Sequence, residues 1–110
     1  IAHAEIIIGD SHIMLSDNGS EEHLKSPKEL GGTALSLMLY VEDVDTIFKK
    51  AIELGATLIR PVHDQFYGDR TGTLQDPFGH IWIIGTHKED VSDEELNNRI
   101  GDITNQEQDA

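Results

Sequence analysis

The stretch that decides the fold runs from residue 61 to residue 90 and reads PVHDQFYGDRTGTLQDPFGHIWIIGTHKED. Two glycine-containing turns, GDR at 68–70 and DPFG at 76–79, flank a short polar strand. A strongly apolar strand, HIWIIG at 80–85, follows the second turn. Glycine, aspartate and proline accept or preset the backbone angles of tight turns, so the pattern predicts a β-hairpin.

The residues before this hairpin predict a strand, a helix and another strand. Residues 34–41 alternate, with leucines and Val41 on one face and Ser36, Met38 and Tyr40 on the other. Asp43 suits the N-cap of a helix whose apolar residues recur at helical spacing up to Leu54. Residues 56–62 then predict a strand, in which Pro61 indicates a sheet edge or a bulge. From Thr33 to residue 90 the order is therefore βαβββ.

The first 15 residues predict another hairpin, with Gly9-Asp10 as a two-residue loop. Its pairing places Ile8 opposite Ser11 and Ala4 opposite Leu15, and makes one face aliphatic and buried. The other face carries polar side chains, His3, Glu5 and His12, together with Ile7 and Met14. Residues 16–32 predict a surface loop, and residues 91–110 a capped C-terminal helix followed by a tail.

Composition excludes several classes of function. The 110 residues include 8 basic and 21 acidic side chains, for a formal charge of −13 at pH 7. Such a surface repels nucleic acid and anionic lipid, so neither is expected as a partner. The absence of cysteine excludes disulfides and thiolate sites. Neither a signal peptide nor a membrane-length apolar stretch is visible, and a single cytoplasmic domain is expected.

The string DPFGHIW at 76–82 resembles the motif before the last strand in the vicinal-oxygen-chelate superfamily, which includes glyoxalases, dioxygenases and the fosfomycin and bleomycin resistance proteins. The longer string DQFYGDR at 64–70 is similar to the PhnB-like branch of that superfamily. The resemblance implies an α+β fold of paired βαβββ modules around a pocket. Residues 1–15 would be the last two strands of an incomplete first module and residues 33–90 the complete second module. It also implies a homodimer.

The resemblance further implies where metal ligands would stand in the family's metalloenzymes. Ser36 occupies the position of a histidine ligand, Ile83 that of a glutamate, and Met14 lies at or near another glutamate position. None of these side chains binds a hard or borderline cation, so no family-type metal site and no cofactor are expected. His3, Glu5 and His12 could form a different metal cluster, but pocket-lining or solvated polar groups are the favoured interpretation.

Gln65, Tyr67 and Arg70 are the strongest ligand-binding candidates. Arginine grips a carboxylate or phosphate at two points, while glutamine and tyrosine offer neutral hydrogen bonds. The structural alternative is that Asp69 and Arg70 pair with each other or hold the turn.

Glu5, His12, Ser36 and Tyr40 are further candidates to line the pocket, because strand alternation places each on a face turned towards it. His80 is expected to face away from the pocket. His87 could either orient the C-terminal helix or border the pocket, and the sequence leaves both possibilities open.

Three hypotheses for function follow. The first is a small-molecule-binding protein of the glyoxalase/bleomycin-resistance type, without the usual metal site. The second is a diverged metal-dependent enzyme, lyase-like or dioxygenase-like, of the same superfamily. The third is a structural dimerisation module. A methyltransferase is disfavoured because no site for a nucleotide-type methyl donor is recognisable.

Overall fold

A computed structural model of the chain describes residues 2–19 and 24–109, with side chains up to residue 104. The predicted start of the first strand at residue 1, part of the predicted loop (residues 20–23) and residue 110 lie outside the described residues. The elements in chain order are β1 Ala4–Ile8, β2 Ser11–Leu15, α1 Pro27–Leu30, β3 Ser36–Tyr40, α2 Val44–Glu53, β4 Thr57–Asp64, β5 Asp69–Gln75, β6 Ile81–His87 and α3 Asp93–Asp109.

Strands β3 to β6 form one four-stranded sheet in the order β3-β6-β5-β4. Strand β3 runs parallel to β6, and the other two pairs are antiparallel. This arrangement confirms the predicted α+β fold. Strand β4 lies at the edge of the sheet, and its pairing with β5 shifts register between Leu58 and Arg60 and between Arg60 and His63. Both features fit a strand that contains Pro61, which has no N–H to donate.

Helix α2 covers one face of this sheet and forms the core with it. Asp43 caps the helix as predicted, and its carboxylate accepts hydrogen bonds from the backbone N–H and the hydroxyl of Thr46. The buried core consists of Val44, Phe48, Leu74 and Ile84. Gly72 of β5 lies directly under Phe48, where a Cβ atom would come within 2.7 Å of the ring. The missing side chain therefore lets the helix approach the sheet closely.

The DPFG turn is held by one side chain, Asp76. One carboxylate oxygen accepts hydrogen bonds from the backbone N–H groups of Phe78 and His80, at 2.9 and 3.0 Å. The other accepts one from Trp82 Nε1 at 3.0 Å. The turn therefore fixes both the entry into β6 and the orientation of the indole, which is a physical reason for this residue pattern.

The first hairpin has the predicted register, with Ala4 opposite Leu15 and Ile8 opposite Ser11. The prediction that its aliphatic face is buried was wrong. Ile6 is 43% exposed and Leu15 44%, because β1 and β2 form a two-stranded sheet of their own. No described element packs extensively against this sheet.

The predicted loop of residues 16–32 contains a short helix, α1, capped by the Ser26 hydroxyl. Its C-terminal end is closed by Gly31 and Gly32, whose N–H groups bond to the carbonyls of Lys28 and Pro27. Near the other end of the chain, Ser92 caps α3 as predicted. The helix runs to Asp109, so it takes up most of the residues that the sequence assigned to a tail. Across the described ranges, no helix combines the length and apolarity that crossing a membrane requires.

Candidate functional site

Among the described elements, none packs extensively against the face of the sheet opposite α2. Because side chains alternate along strands, the neighbours of the core residues point to this second face. We call it the open face. It carries Ser36, Met38 and Tyr40 of β3, Ile81, Ile83, Gly85 and His87 of β6, and Asp69, Thr71, Thr73 and Gln75 of β5. The apolar side chains of the open face thus lie on β3 and β6, whereas β5 presents only polar side chains to it.

A groove with a cavity volume of about 560 Å³ lies where β3 and β6 end. It is lined by Tyr40, Val41, Glu42, Thr86 and His87. The two strands are parallel neighbours, so both carboxyl ends meet here. The chain after β3 turns into α2, whereas the chain after β6 turns towards the loop before β5. Connections that leave neighbouring parallel strands in different directions open a crevice between them, a common position for ligand sites.

A hydrogen-bonded network joins the groove to the sheet. Asp69, only 6% exposed, is its centre. Tyr40 Oη donates to Asp69 Oδ2 at 2.7 Å, and His87 Nδ1 lies 2.8 Å from Asp69 Oδ1. The other imidazole nitrogen of His87 lies 2.7 Å from Asp90 Oδ1. The network holds the phenol and the imidazole at fixed positions beside the groove.

The network shifts the pKa values of Tyr40, Asp69 and His87. Burial alone would raise the pKa of Asp69, but the hydrogen bonds from His87 and Tyr40 outweigh it and the pKa is lowered. The pKa of Tyr40 is raised, chiefly because its hydroxyl donates to Asp69. The pKa of His87 is raised by the hydrogen bonds to Asp69 and then Asp90. With a carboxylate at each ring nitrogen, His87 is favoured as an imidazolium rather than as a free general base.

Asp90 is positioned by the segment that follows β6, residues 88–92, which we call the strap. The carbonyl of Gly68 accepts hydrogen bonds from the N–H groups of Lys88 and Glu89, at 2.8 and 3.1 Å. Arg99 of α3 donates to the carbonyl of Phe66 and pairs with Glu89. The sequence left two roles open for His87, and the structure shows both. The residue borders the groove, and through Asp90 it also contacts the strap that leads to α3.

Arg70 lies on the other face of the sheet. Its guanidinium binds Asp45 of α2 at two points, 2.9 and 3.0 Å, and Asp64 at 3.1 Å. These hydrogen bonds raise its pKa. The alternative that Arg70 pairs with Asp69 was wrong, because consecutive residues of a strand point to opposite faces of the sheet. Arg70 instead fastens α2 to the sheet, and its position gives no support to a role in the groove.

The remaining predicted residues are spread over the molecule. Gln65 donates to Thr71 Oγ1 at 3.1 Å on the open face, and Tyr67, 40% exposed, packs edge-on against Phe66. Ser36 stands at the opposite end of β3 from Tyr40, roughly 13 Å away at the usual rise per residue. Of the predicted ligand residues, the structure therefore places only Tyr40 in the groove lining.

Glu5 and His12 lie on the first hairpin and contact each other at 2.5 Å. This contact occupies both candidates, and neither residue is among those that line the groove.

The sequence interpretation missed Asp69, Glu42 and Asp90. The sequence did contain a signal for Asp69. In a β-hairpin, residues at equal distances from the turn on the two strands lie opposite each other. From Gln75 opposite Ile81, six steps bring Asp69 opposite His87, as the structure has it. No comparable signal exists for Glu42 and Asp90, which lie in connections beyond the strands.

The residues present do not fit the metal site of the family's metalloenzymes. Ser36 and Ile83 lie on the open face of adjacent strands, at the positions that the resemblance assigns to ligands, and neither is a metal ligand of that type. Met14 lies on the first hairpin opposite Glu5. In the parts of the chain that the structure describes, no three histidine, cysteine or acidic side chains are grouped as metal ligands.

A βαβββ sheet with a helix on one face and a groove at the carboxyl ends of its two parallel strands is typical of a glyoxalase-type domain. The family model for the Glyoxalase/Bleomycin resistance protein/Dioxygenase superfamily matches residues 1–84. The chain belongs to this superfamily, as its DPFGHIW motif predicted.

The similar proteins agree with this assignment. An uncharacterised protein of Mycobacterium bovis is 36% identical over 99 residues, which cover 87% of this chain and 65% of that protein. The chain spans between 58% and 65% of the length of such mycobacterial relatives.

Two solved structures share the fold. TioX from Micromonospora sp. ML1 matches with a TM-score of 0.59 and 25% identity, over 78% of this chain and 68% of its own. A PhnB protein from Bacillus cereus matches with a TM-score of 0.55 and 20% identity, over 76% and 63% of the two chains.

Proposed function

We propose that this protein binds a small organic molecule in the groove at the carboxyl ends of β3 and β6, without a metal ion of the family type. The observation that carries the proposal is the Tyr40–Asp69–His87–Asp90 network, which places a phenol and an imidazole beside an open groove. Binding sites combine apolar walls with a few fixed polar groups. Here Tyr40 and Val41 supply apolar surface, and His87 supplies the fixed polar group.

Binding, rather than catalysis, is favoured by the state of the network. A general base needs a free lone pair near neutral pH. Both nitrogens of His87 face carboxylates, and its raised pKa favours the protonated form. The hydroxyl of Tyr40 is likewise engaged with Asp69. Side chains that are held in this way suit recognition of a ligand more than transfer of a proton.

A screen of small molecules by protein-observed NMR tests the proposal. Compounds that bind as proposed shift the backbone signals of residues 40–42 and 85–87. His87→Gln should change the dissociation constant several-fold, whereas His80→Gln should not. His80 is a matched control because it is an exposed histidine before β6, at the opposite end of the strand from the groove.

Metal dependence separates this proposal from the alternative of a diverged metalloenzyme. Binding should survive dialysis against a chelator, and metal analysis of the purified protein should find no stoichiometric ion. If binding requires a divalent cation, or if hits shift only residues outside the groove, the proposal is wrong.

We further propose that the protein is a homodimer, as the resemblance implies. The half-exposed aliphatic face of the first hairpin, which includes Ile6 and Leu15, supports the proposal because such a face is stabilised when another surface covers it. Light scattering should give twice the chain mass, and a monomer at micromolar concentration would refute it.

A further inference from the structure

The charge of the groove bears on the kind of ligand it can bind. Glu42 lines the groove, and within the described residues its carboxylate forms no hydrogen bond or ion pair. Asp90 is exposed and contacts His87 through one oxygen only. The charge of the His87 imidazolium is already balanced by buried Asp69. Glu42 in the lining, together with Asp90 beside His87, therefore leaves an excess of negative charge at the groove.

Basic side chains do not offset this excess. The groove lining contains neither lysine nor arginine. Arg70 is bound to Asp45 and Asp64 on the other face. Lys88 is close enough to Asp45 to help lower the pKa of that carboxyl, after the larger effect of Arg70. The formal charge of −13 adds a long-range field of the same sign.

Tyr40 adds an aromatic surface to this charge. The residue is 58% exposed, and its hydroxyl donates to the Asp69 carboxylate. Donation to an anion increases the electron density of the ring, and an electron-rich ring face attracts organic cations. A flat cation can therefore lie against Tyr40 while its charged group faces carboxylate oxygens at the edge of the groove.

We infer that the groove selects organic cations that carry an aromatic or other flat apolar part, such as arylalkyl amines, aryl amidines or guanidines. The inference rests on the proposed function, because it names the ligand class of the same groove. It reverses the expectation from the sequence, in which Arg70 pointed to a carboxylate or phosphate. Anionic compounds of the same shape meet the Glu42 carboxylate and the net negative charge of Asp69, His87 and Asp90, and should be rejected.

Three probes of nearly equal shape test the inference: benzamidine (cationic), benzamide (neutral) and benzoate (anionic). NMR titrations at low salt should show benzamidine shifting the signals of residues 40–42 and 85–90. Its dissociation constant should be roughly tenfold or more below that of benzamide, the scale expected for a full charge beside carboxylates near water. Benzoate should not shift these signals. Raising the salt concentration should weaken benzamidine binding, because exposed charges are screened.

One variant and a matched control test whether Glu42 contributes to benzamidine binding. Glu42→Gln should weaken benzamidine binding about three- to tenfold, in line with the loss of one charge contact near the surface, and leave benzamide unchanged. Glu53→Gln removes the same charge at the end of α2, away from the groove lining, and should have little effect.

The outcomes separate this inference from the proposal on which it rests. If benzoate binds in the groove as tightly as benzamidine, or if benzamidine binds only elsewhere, the inference is overturned and small-molecule binding in the groove still stands. If no compound of any charge shifts the groove signals, the proposed function fails with it. Equal effects of Glu42→Gln and Glu53→Gln would overturn the local role of Glu42.

Discussion

Gly68 is the position at which one added methyl group should disturb both the fold and the site. It lies in the turn before β5 with a φ of +100°, a conformation that costs a residue with a side chain about 1–2 kcal/mol. A Cβ atom there would lie 2.2 Å from the carbonyl oxygen of Glu89 and 3.0 Å from Val91. The first contact is with backbone, so the strap has to move.

Movement of the strap breaks the two hydrogen bonds from Lys88 and Glu89 to the carbonyl of Gly68. Each such bond contributes about 1 kcal/mol net. Together with the cost of the backbone conformation, Gly68→Ala should lower the free energy of unfolding by roughly 2–4 kcal/mol. The displaced strap also draws Asp90 away from His87, so the pKa of His87 should fall towards its ordinary value.

Urea unfolding and an NMR titration of the histidine ring measure the two effects. Gly101→Ala is the control, since this glycine lies in α3 with no neighbouring atom within 4 Å of an added Cβ. A helical Gly→Ala change should stabilise by up to about 1 kcal/mol. The reasoning is refuted if Gly68→Ala unfolds within about 0.5 kcal/mol of the unmodified protein and leaves the pKa of His87 unchanged.

Four other predictions follow from the hydrogen bonds described above. His87 has a raised pKa in the folded state. Its contribution to stability is therefore complete below its unfolded-state pKa of about 6.5 and is lost as pH rises through its folded-state pKa. The difference in unfolding free energy between the unmodified protein and His87→Gln should shrink over that range. Asp69 behaves in the opposite way, because its pKa is lowered in the folded state. Its contribution to the free energy of unfolding is present above about pH 4 and is lost at lower pH. A contribution of Asp69 that persists undiminished at acid pH would contradict this. Arg70→Ala should cost about 1 kcal/mol, since its ion pairs are partly exposed, and should leave benzamidine binding unchanged, so a loss of binding without loss of stability would restore its role as a ligand residue. Asp76→Ala removes three hydrogen bonds and should lower the free energy of unfolding by about 2–3 kcal/mol. Trp82→Phe removes one of them and should lower it by about 1 kcal/mol. Equal losses for the two variants in urea unfolding would contradict the role assigned to Asp76 in the turn.

The fold was predictable because local rules agreed with one another along most of the chain. Asp43 as an N-cap, Pro61 at a sheet edge and the register around Gly9-Asp10 all occur as the sequence indicated. Burial of the first hairpin failed as a prediction, because alternation shows which face is apolar and not what covers it. Ile6 illustrates the difference, with an apolar position and 43% exposure.

The site was less predictable, for two physical reasons. Arg70 was predicted as a ligand residue because its guanidinium can bind a carboxylate or phosphate. Its position directly after Asp69 in a strand, however, places it on the opposite face of the sheet. Glu42 and Asp90 depend on how two connections diverge beyond β3 and β6, which is a property of the tertiary fold. Charge at the groove therefore became visible only once α2 and the strap were in place.

The most direct test of the central claim is a crystal structure of the protein with the tightest-binding compound from the screen, collected with anomalous data. Electron density for the compound should lie between Tyr40 and His87 at the carboxyl ends of β3 and β6, with no metal peak beside it. A compound bound on the α2 face near Arg70, or bound through a metal ion near Ser36 and Ile83, would contradict it.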